Sequence, residues 1–167
     1  MLLLDHGDNC MSGGSCDVMD VLEELLKAGE TGIMVGPICD PETVAQLVAA
    51  GEQTEVEIAL GNKTPAKGMP APHPPLRLRG RVTALSDGRY RVAGPIYHGQ
   101  ELSMGRAAAF DTGTTRIVIC EEPHEPLDLG CFASVGLDPT RARFLHLKSR
   151  MYLSLIHISE PTRQEAI

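Results

Sequence analysis

Leu2-Leu3-Leu4 is a continuous apolar run that breaks into a polar, glycine-containing stretch from Asp5 to Ser15, the pattern of a buried strand followed by a loop. From Asp17 onward the period changes. Val18, Val21, Leu22, Leu25 and Leu26 recur at helical spacing, with Glu23, Glu24 and Lys27 on the other side. Gly29 stands where a helix C-terminus favours a left-handed residue. Gly32–Gly36 reads as a second buried strand, so the opening predicts a βαβ unit with parallel strands. Asp40-Pro41 then starts a second helix, with Asp as N-cap and Pro in the first turn. Val44, Leu47 and Val48 form its stripe, Gly51 ends it, and Glu55–Leu60 alternates as a strand.

Between Asn62 and Pro75 the chain carries Pro65, Pro70, Pro72, Pro74 and Pro75 together with His73, a stiff and exposed connector. Beyond it the pattern is β-rich. Leu76–Leu85 is expected to pair through Ser86-Asp87-Gly88 with Tyr90–Ala93 as a hairpin. A second hairpin joins Arg106–Phe110 to Arg116–Cys120 around Asp111–Thr114, and a short helix at Pro139–Ala142 leads into the strand Phe144–Leu147. The expected fold class is α/β: an opening βαβ unit with parallel strands, then a β-rich half with hairpins.

Composition narrows the function classes. The 167 residues are 43% hydrophobic and 22% charged, ordinary for one folded domain able to bury its own core. A net charge of -7 argues against nucleic acid or an anionic lipid surface as the main partner. No apolar run approaches the ~18 residues of a membrane span, and the expected setting is cytoplasmic. Cys10, Cys16, Cys39, Cys120 and Cys131 contain no CxxC pair, which excludes a zinc ribbon, a thioredoxin motif and a paired disulfide scaffold.

The densest chemistry lies after the first strand, where α/β sheets place their ligand sites. Asp5, His6 and Asp8 could ligate a metal or move protons, with Asn9 beside them. Ser12, Gly13, Gly14 and Ser15 offer backbone N–H groups ahead of a helix, suited to a carboxylate, phosphate or oxyanion. The structural alternative is that Asp8, Asn9 and Ser15 only cap a tight turn. Cys16, at an expected helix N-terminus, is the better thiol nucleophile of the Cys10/Cys16 pair, although free cysteines are more often small buried hydrophobes. Arg77, Arg79 and Arg81 share one strand face, with Arg89 and Arg91 on the expected hairpin partner, forming a stripe that could meet an anionic ligand or acidic domain, or simply face solvent. His73, His98, His124 and His146 are scattered singly without metal-ligand spacing.

Leu3-Leu4-Asp5-His6-Gly7-Asp8-Asn9 followed by Ser12-Gly13-Gly14 resembles the start of the C-terminal domain of the microcystinase C family, the microcystin-degradation metallopeptidase-like proteins. Val35-Gly36-Pro37-Ile38-Cys39-Asp40-Pro41, Met104-Gly105-Arg106, Ile117-Val118-Ile119, Ser134–Pro139 and Leu147-Lys148-Ser149-Arg150-Met151 follow in the same order. The resemblance covers residues 1–152. It implies a fragment of a zinc-dependent peptidase or amide hydrolase in which zinc and its His and Asp ligands belong to a larger N-terminal domain of the same polypeptide. No metal ligands are assigned to this fragment, which alone is expected to be inactive. The Asp5–Asn9 loop is then expected to line the composite cleft against a peptide or other amide substrate, with Asp5 or His6 positioning substrate or water. Glu121-Glu122-Pro123-His124 departs from the family pattern and carries no site over.

Leu153–Arg163 resembles a translated sequencing-adapter sequence, and 153–167 is therefore set apart as unstructured and foreign. Met1 falls where the family has an aliphatic residue inside a strand, the expectation being an internal codon read as a start. The competing function class is a non-catalytic binding or interaction domain using the Ser-Gly-Gly loop or the arginine stripe.

Overall fold

The computed structural model describes residues 1–65 and 73–149. The middle of the proline-rich connector and the 153–167 tail lie outside the described residues, as does the end of the Leu147–Met151 motif. Nine strands are described: β1 (Leu2–Leu4), β2 (Ile33–Cys39), β3 (Glu55–Leu60), β4 (Leu76–Ser86), β5 (Arg89–Arg91), β6 (Glu101–Ser103), β7 (Ala107–Asp111), β8 (Thr115–Cys120) and β9 (Phe144–Leu147). The helices are α1 (Asp20–Lys27), α2 (Pro41–Ala50) and α3 (Gly130–Ala133).

Seven strands form one sheet in the order β1-β9-β2-β8-β7-β4-β3, and β5 and β6 form a separate two-stranded sheet. β1, β9, β2 and β8 run parallel, whereas β7, β4 and β3 continue the sheet antiparallel. The α/β class and the parallel opening unit are as the pattern predicts. β9 lies between β1 and β2, so the two strands of the opening unit are not direct neighbours.

Alternation along the strands sorts the core into two layers. Ile33, Val35, Ile117, Ile119, Val82 and Phe110 face Leu22 of α1 and Val44 and Leu47 of α2. Met34, Val118, Cys120, Ala107 and Ala109 face the other way, against Cys131, Phe132 and Val135 of the α3 segment. Small alanines on β7 let that second layer sit close. With no Trp and three Phe in the chain, the fully buried Phe110 and Phe132 supply one large anchor per layer. Truncating either to Ala would cost about 3–5 kcal/mol.

Three local expectations are corrected. The first helix begins at Asp20, not Asp17, because the Asp17 carboxylate accepts from Ser15 Oγ and from the backbone N–H groups of Lys63 (2.9 Å) and Thr64 (2.8 Å). Asn62 Oδ1 instead takes the Met19 N–H at 3.0 Å ahead of the helix. The Leu76–Leu85 strand does not pair with Tyr90–Ala93: β4 lies between β3 and β7, and β5 pairs with β6. A turn signal at Ser86–Gly88 fixes where the chain bends, not which strand it meets. Consequently the arginine stripe is split between two sheets. The hairpin of β7 and β8, by contrast, forms around the expected Asp111–Thr114 turn.

Candidate functional site

β1 and β9 are adjacent and parallel, with Leu4 opposite Leu147, so the residues that follow, Asp5 and Lys148, leave the sheet side by side at its carboxyl edge. The Asp5 N–H donates to the Leu147 carbonyl at 2.9 Å and extends the ladder one step. From there two 3-10 turns, His6–Asp8 and Cys10–Ser12, carry the chain toward α1.

Lys148 is wholly buried. Its ammonium lies 2.8 Å from Asp5 Oδ2 and 3.0 Å from Asp8 Oδ2, and donates also to the Val18 carbonyl. Asp8 is equally enclosed: Oδ1 accepts from Ser15 Oγ (3.2 Å) and Cys16 N (2.8 Å), and Oδ2 accepts from Val18 N (2.8 Å). Asp5 is half-buried. Burial alone would raise its pKa, but the nearby His146 imidazole and the charge and hydrogen bond of Lys148 outweigh that and hold the carboxyl well below the usual range. His146 Nε2 stands 3.6 Å from Asp5 Oδ2 and is itself fully buried. Asp5 Oδ1 has no hydrogen-bond partner among the described residues. His6 is exposed beside it.

The rest of the loop is occupied with its own turn. Asn9 Oδ1 accepts from Ser12 N at 3.1 Å, the Asn9 carbonyl accepts from Ser12 N and Gly14 N, and the Cys10 carbonyl accepts from Gly13 N. The N–H groups of Ser12, Gly13 and Gly14 expected to face an anion are therefore spent, and Ser15 Oγ is shared between Asp8 and Asp17. No helix N-terminus stands behind them, since α1 begins at Asp20. Gly14 is glycine for a steric reason: a Cβ there would lie 2.6 Å from the Asp8 carbonyl carbon and 2.7 Å from Asn9 N.

The thiols are inert by environment. Cys16 is buried and not on a helix, and its thiol is pushed well up by burial, so it is the small buried hydrophobe rather than the helix-terminus nucleophile. Burial and neighbouring carboxylates push Cys39 up to about 12. Cys120 and Cys131 are core, as expected. Cys10 Sγ lies 4.0 Å from Glu125, a buried carboxylate that also accepts from Ser149 Oγ. Arg77 pairs with Glu57, and Arg79 and Arg81 with Glu55, all exposed, so the stripe is met by its own edge strand.

Asp5, His6, Asp8 and Asn9 are contiguous in the sequence, whereas His146, Lys148, Glu125 and Ser149 reach this loop only through the fold. His146 was one of the scattered histidines. Lys148 and Ser149 stood inside a recognised motif without a role, and their arrival at Asp5 is a consequence of β1–β9 pairing. No set of three His, Cys, Asp or Glu among the described residues could hold a metal ion. At Asp5 and Asp8 the donors do not fit one either, because the Lys148 ammonium fills the space between the carboxylates.

Among the described residues no helix is long and apolar enough to cross a membrane. No curated protein matches the chain. Among solved structures it is similar to a crystal structure of a "Putative metallopeptidase" from Mesorhizobium sp. BNC1, with 22% identity and a TM-score of 0.81. That likeness covers 95% of this chain and 31% of the other, so this chain spans about a third of that protein's length. The family model described as MlrC C-terminus matches residues 3–156, and the chain belongs to that family, as the Asp5–Gly14 loop and the motifs after it anticipate.

Proposed function

We propose that this chain is the C-terminal domain of a zinc-dependent metallopeptidase or related amide hydrolase and forms one wall of its active-site cleft. An N-terminal domain of the same polypeptide carries the zinc ligands. The observation that carries this reading is the placement of Asp5 and His6 at the carboxyl edge of adjacent parallel strands, the position at which α/β sheets bind ligands. Membership of the family and the likeness to a protein named as a metallopeptidase support the reaction class.

The chain's own part is to bind and orient. Asp5, held as an anion, has one oxygen free to accept an N–H from an amide substrate. His6, exposed next to it, can pass a proton to or from substrate or water. Asp8, Asn9 and Ser12–Ser15 shape the loop that presents them. No metal-dependent step is assigned to these residues. The competing reading, a binding domain built on the Ser-Gly-Gly loop or the arginine stripe, is weakened by the spent N–H groups and the paired arginines.

The test is hydrolysis of a panel of peptides and small amides by the polypeptide extended upstream to include the zinc domain. Asp5→Ala and His6→Ala are each expected to lower kcat/KM at least tenfold, with zinc content unchanged. Unaltered hydrolysis in both variants overturns the reading, as does stoichiometric zinc binding by the present chain alone.

A further inference from the structure

Lysine is among the residues least often fully buried, and is found so mainly when paired. Lys148 is fully buried and its ammonium has three acceptors for three N–H donors: Asp5 Oδ2, Asp8 Oδ2 and the Val18 carbonyl. These acceptors lie at the start, middle and end of the segment running from β1 to α1. One side chain just beyond β9 therefore spans the whole loop that presents Asp5 and His6.

We propose that Lys148 is a positioning residue, holding the Asp5 carboxylate at the cleft mouth as a fixed anion with Oδ1 turned outward and pinning the loop to the end of β9. The assignment rests on the reading of Asp5 as a cleft residue. The groups that face Asp5 are His146 from β9 and Lys148 just after it, with Asp8 across the ammonium. Asp8 spends its other contacts on Ser15, Cys16 and Val18, so it is tied to the loop. Of these groups Lys148 alone touches both carboxylates. Against the upward push of burial, the charge of Lys148 is among the influences that draw the Asp5 carboxyl below its ordinary range.

The experiment is a carbon-detected NMR titration of the Asp5 carboxyl in the full chain. In the native protein Asp5 should stay ionised below the ordinary aspartate midpoint of about pH 4. In Lys148→Met the midpoint should rise by about one pH unit or more, a tenfold gain in proton affinity. In Asp8→Asn, Asp5 should remain ionised as in the native chain, because its own contact with Lys148 persists. A lysine that served only to neutralise Asp8 would leave the Asp5 titration unmoved by Lys148→Met, and that result overturns the proposal. An ordinary Asp5 midpoint in the native chain overturns it as well, and keeps the test decisive if Lys148→Met does not fold. The cleft reading fails separately: Asp5→Ala without effect on hydrolysis, alongside an Asp5 titration that responds to Lys148, refutes the cleft and leaves only the hold of Lys148 on the Asp5 carboxylate standing.

Discussion

Lys148 Nζ lies 2.8 Å from Asp5 Oδ2 although 143 residues separate them along the chain. Register brings them together, since each is the residue that follows one of two paired strands. Lys148→Met should therefore destabilise the fold by about 3–5 kcal/mol, the usual cost of leaving buried charge without its partner. Urea unfolding at neutral pH measures this. Adding Asp8→Asn to Lys148→Met should recover part of the loss, because it removes one orphaned carboxylate.

Gly14 and Gly13 are neighbours with different reasons for being glycine. A methyl at Gly14 meets only backbone, at 2.6 to 2.9 Å, and nothing there can turn aside. Gly14→Ala should open the Asp8–Ser15 turn and cost about 3 kcal/mol, at the upper end of ordinary single substitutions. At Gly13, φ is +91° and a Cβ meets nothing within 4 Å, so Gly13→Ala should cost about 1 kcal/mol of backbone strain. Equal losses from the two variants would show that the close contact is relieved elsewhere.

Glu125 and Asp5 should give opposite pH signatures. Burial raises the Glu125 pKa, against a smaller lowering by its hydrogen bond from Ser149. With the folded value above the unfolded one near 4.3, its contribution is complete below about pH 4 and is lost as pH rises through the folded value. Glu125→Gln should therefore gain on the native chain between pH 4 and pH 7. Asp5, whose folded pKa is lowered, contributes fully above about pH 4 and loses that contribution only in stronger acid. Asp5→Asn should be the less stable variant at pH 7 and converge on the native chain as acid is added. Chemical unfolding at several pH values decides both signs.

Arg79 and Arg81 both reach Glu55, at 3.6 and 3.5 Å, from exposed positions. Pairs of this kind are worth about 0–1 kcal/mol and are screened by salt. Arg79→Gln with Arg81→Gln should change stability by less than about 1 kcal/mol, and the small difference should vanish in 1 M salt. A large, salt-insensitive loss would assign these arginines a packing role.

The strands of the parallel half were legible because each is an apolar run bounded by glycine or a polar loop, and the β7–β8 turn was legible because Asp111–Thr114 is a local signal. The β4–β5 hairpin was misread for the complementary reason: Ser86–Gly88 is a genuine bend, but pairing is decided by which distant strand buries the facing side chains, and β7 does so for β4. The site divides along the same line. Asp5, His6, Asp8 and Asn9 are contiguous and could be found by crowding alone. Lys148 looks in sequence like any solvent-facing lysine at a strand end, and its burial depends on two carboxylates beyond the reach of any local pattern.

The pairing of β1 with β9 also sets an order of events. Among the described residues β1 pairs only with β9, the longest loop closure in the described sheet. During synthesis the Asp5–Val18 segment emerges well before Lys148, so Asp5 and Asp8 meet their counter-charge only when Lys148 leaves the ribosome. A nascent chain stopped short of β9 would expose both an unpaired apolar strand and an unneutralised acidic loop.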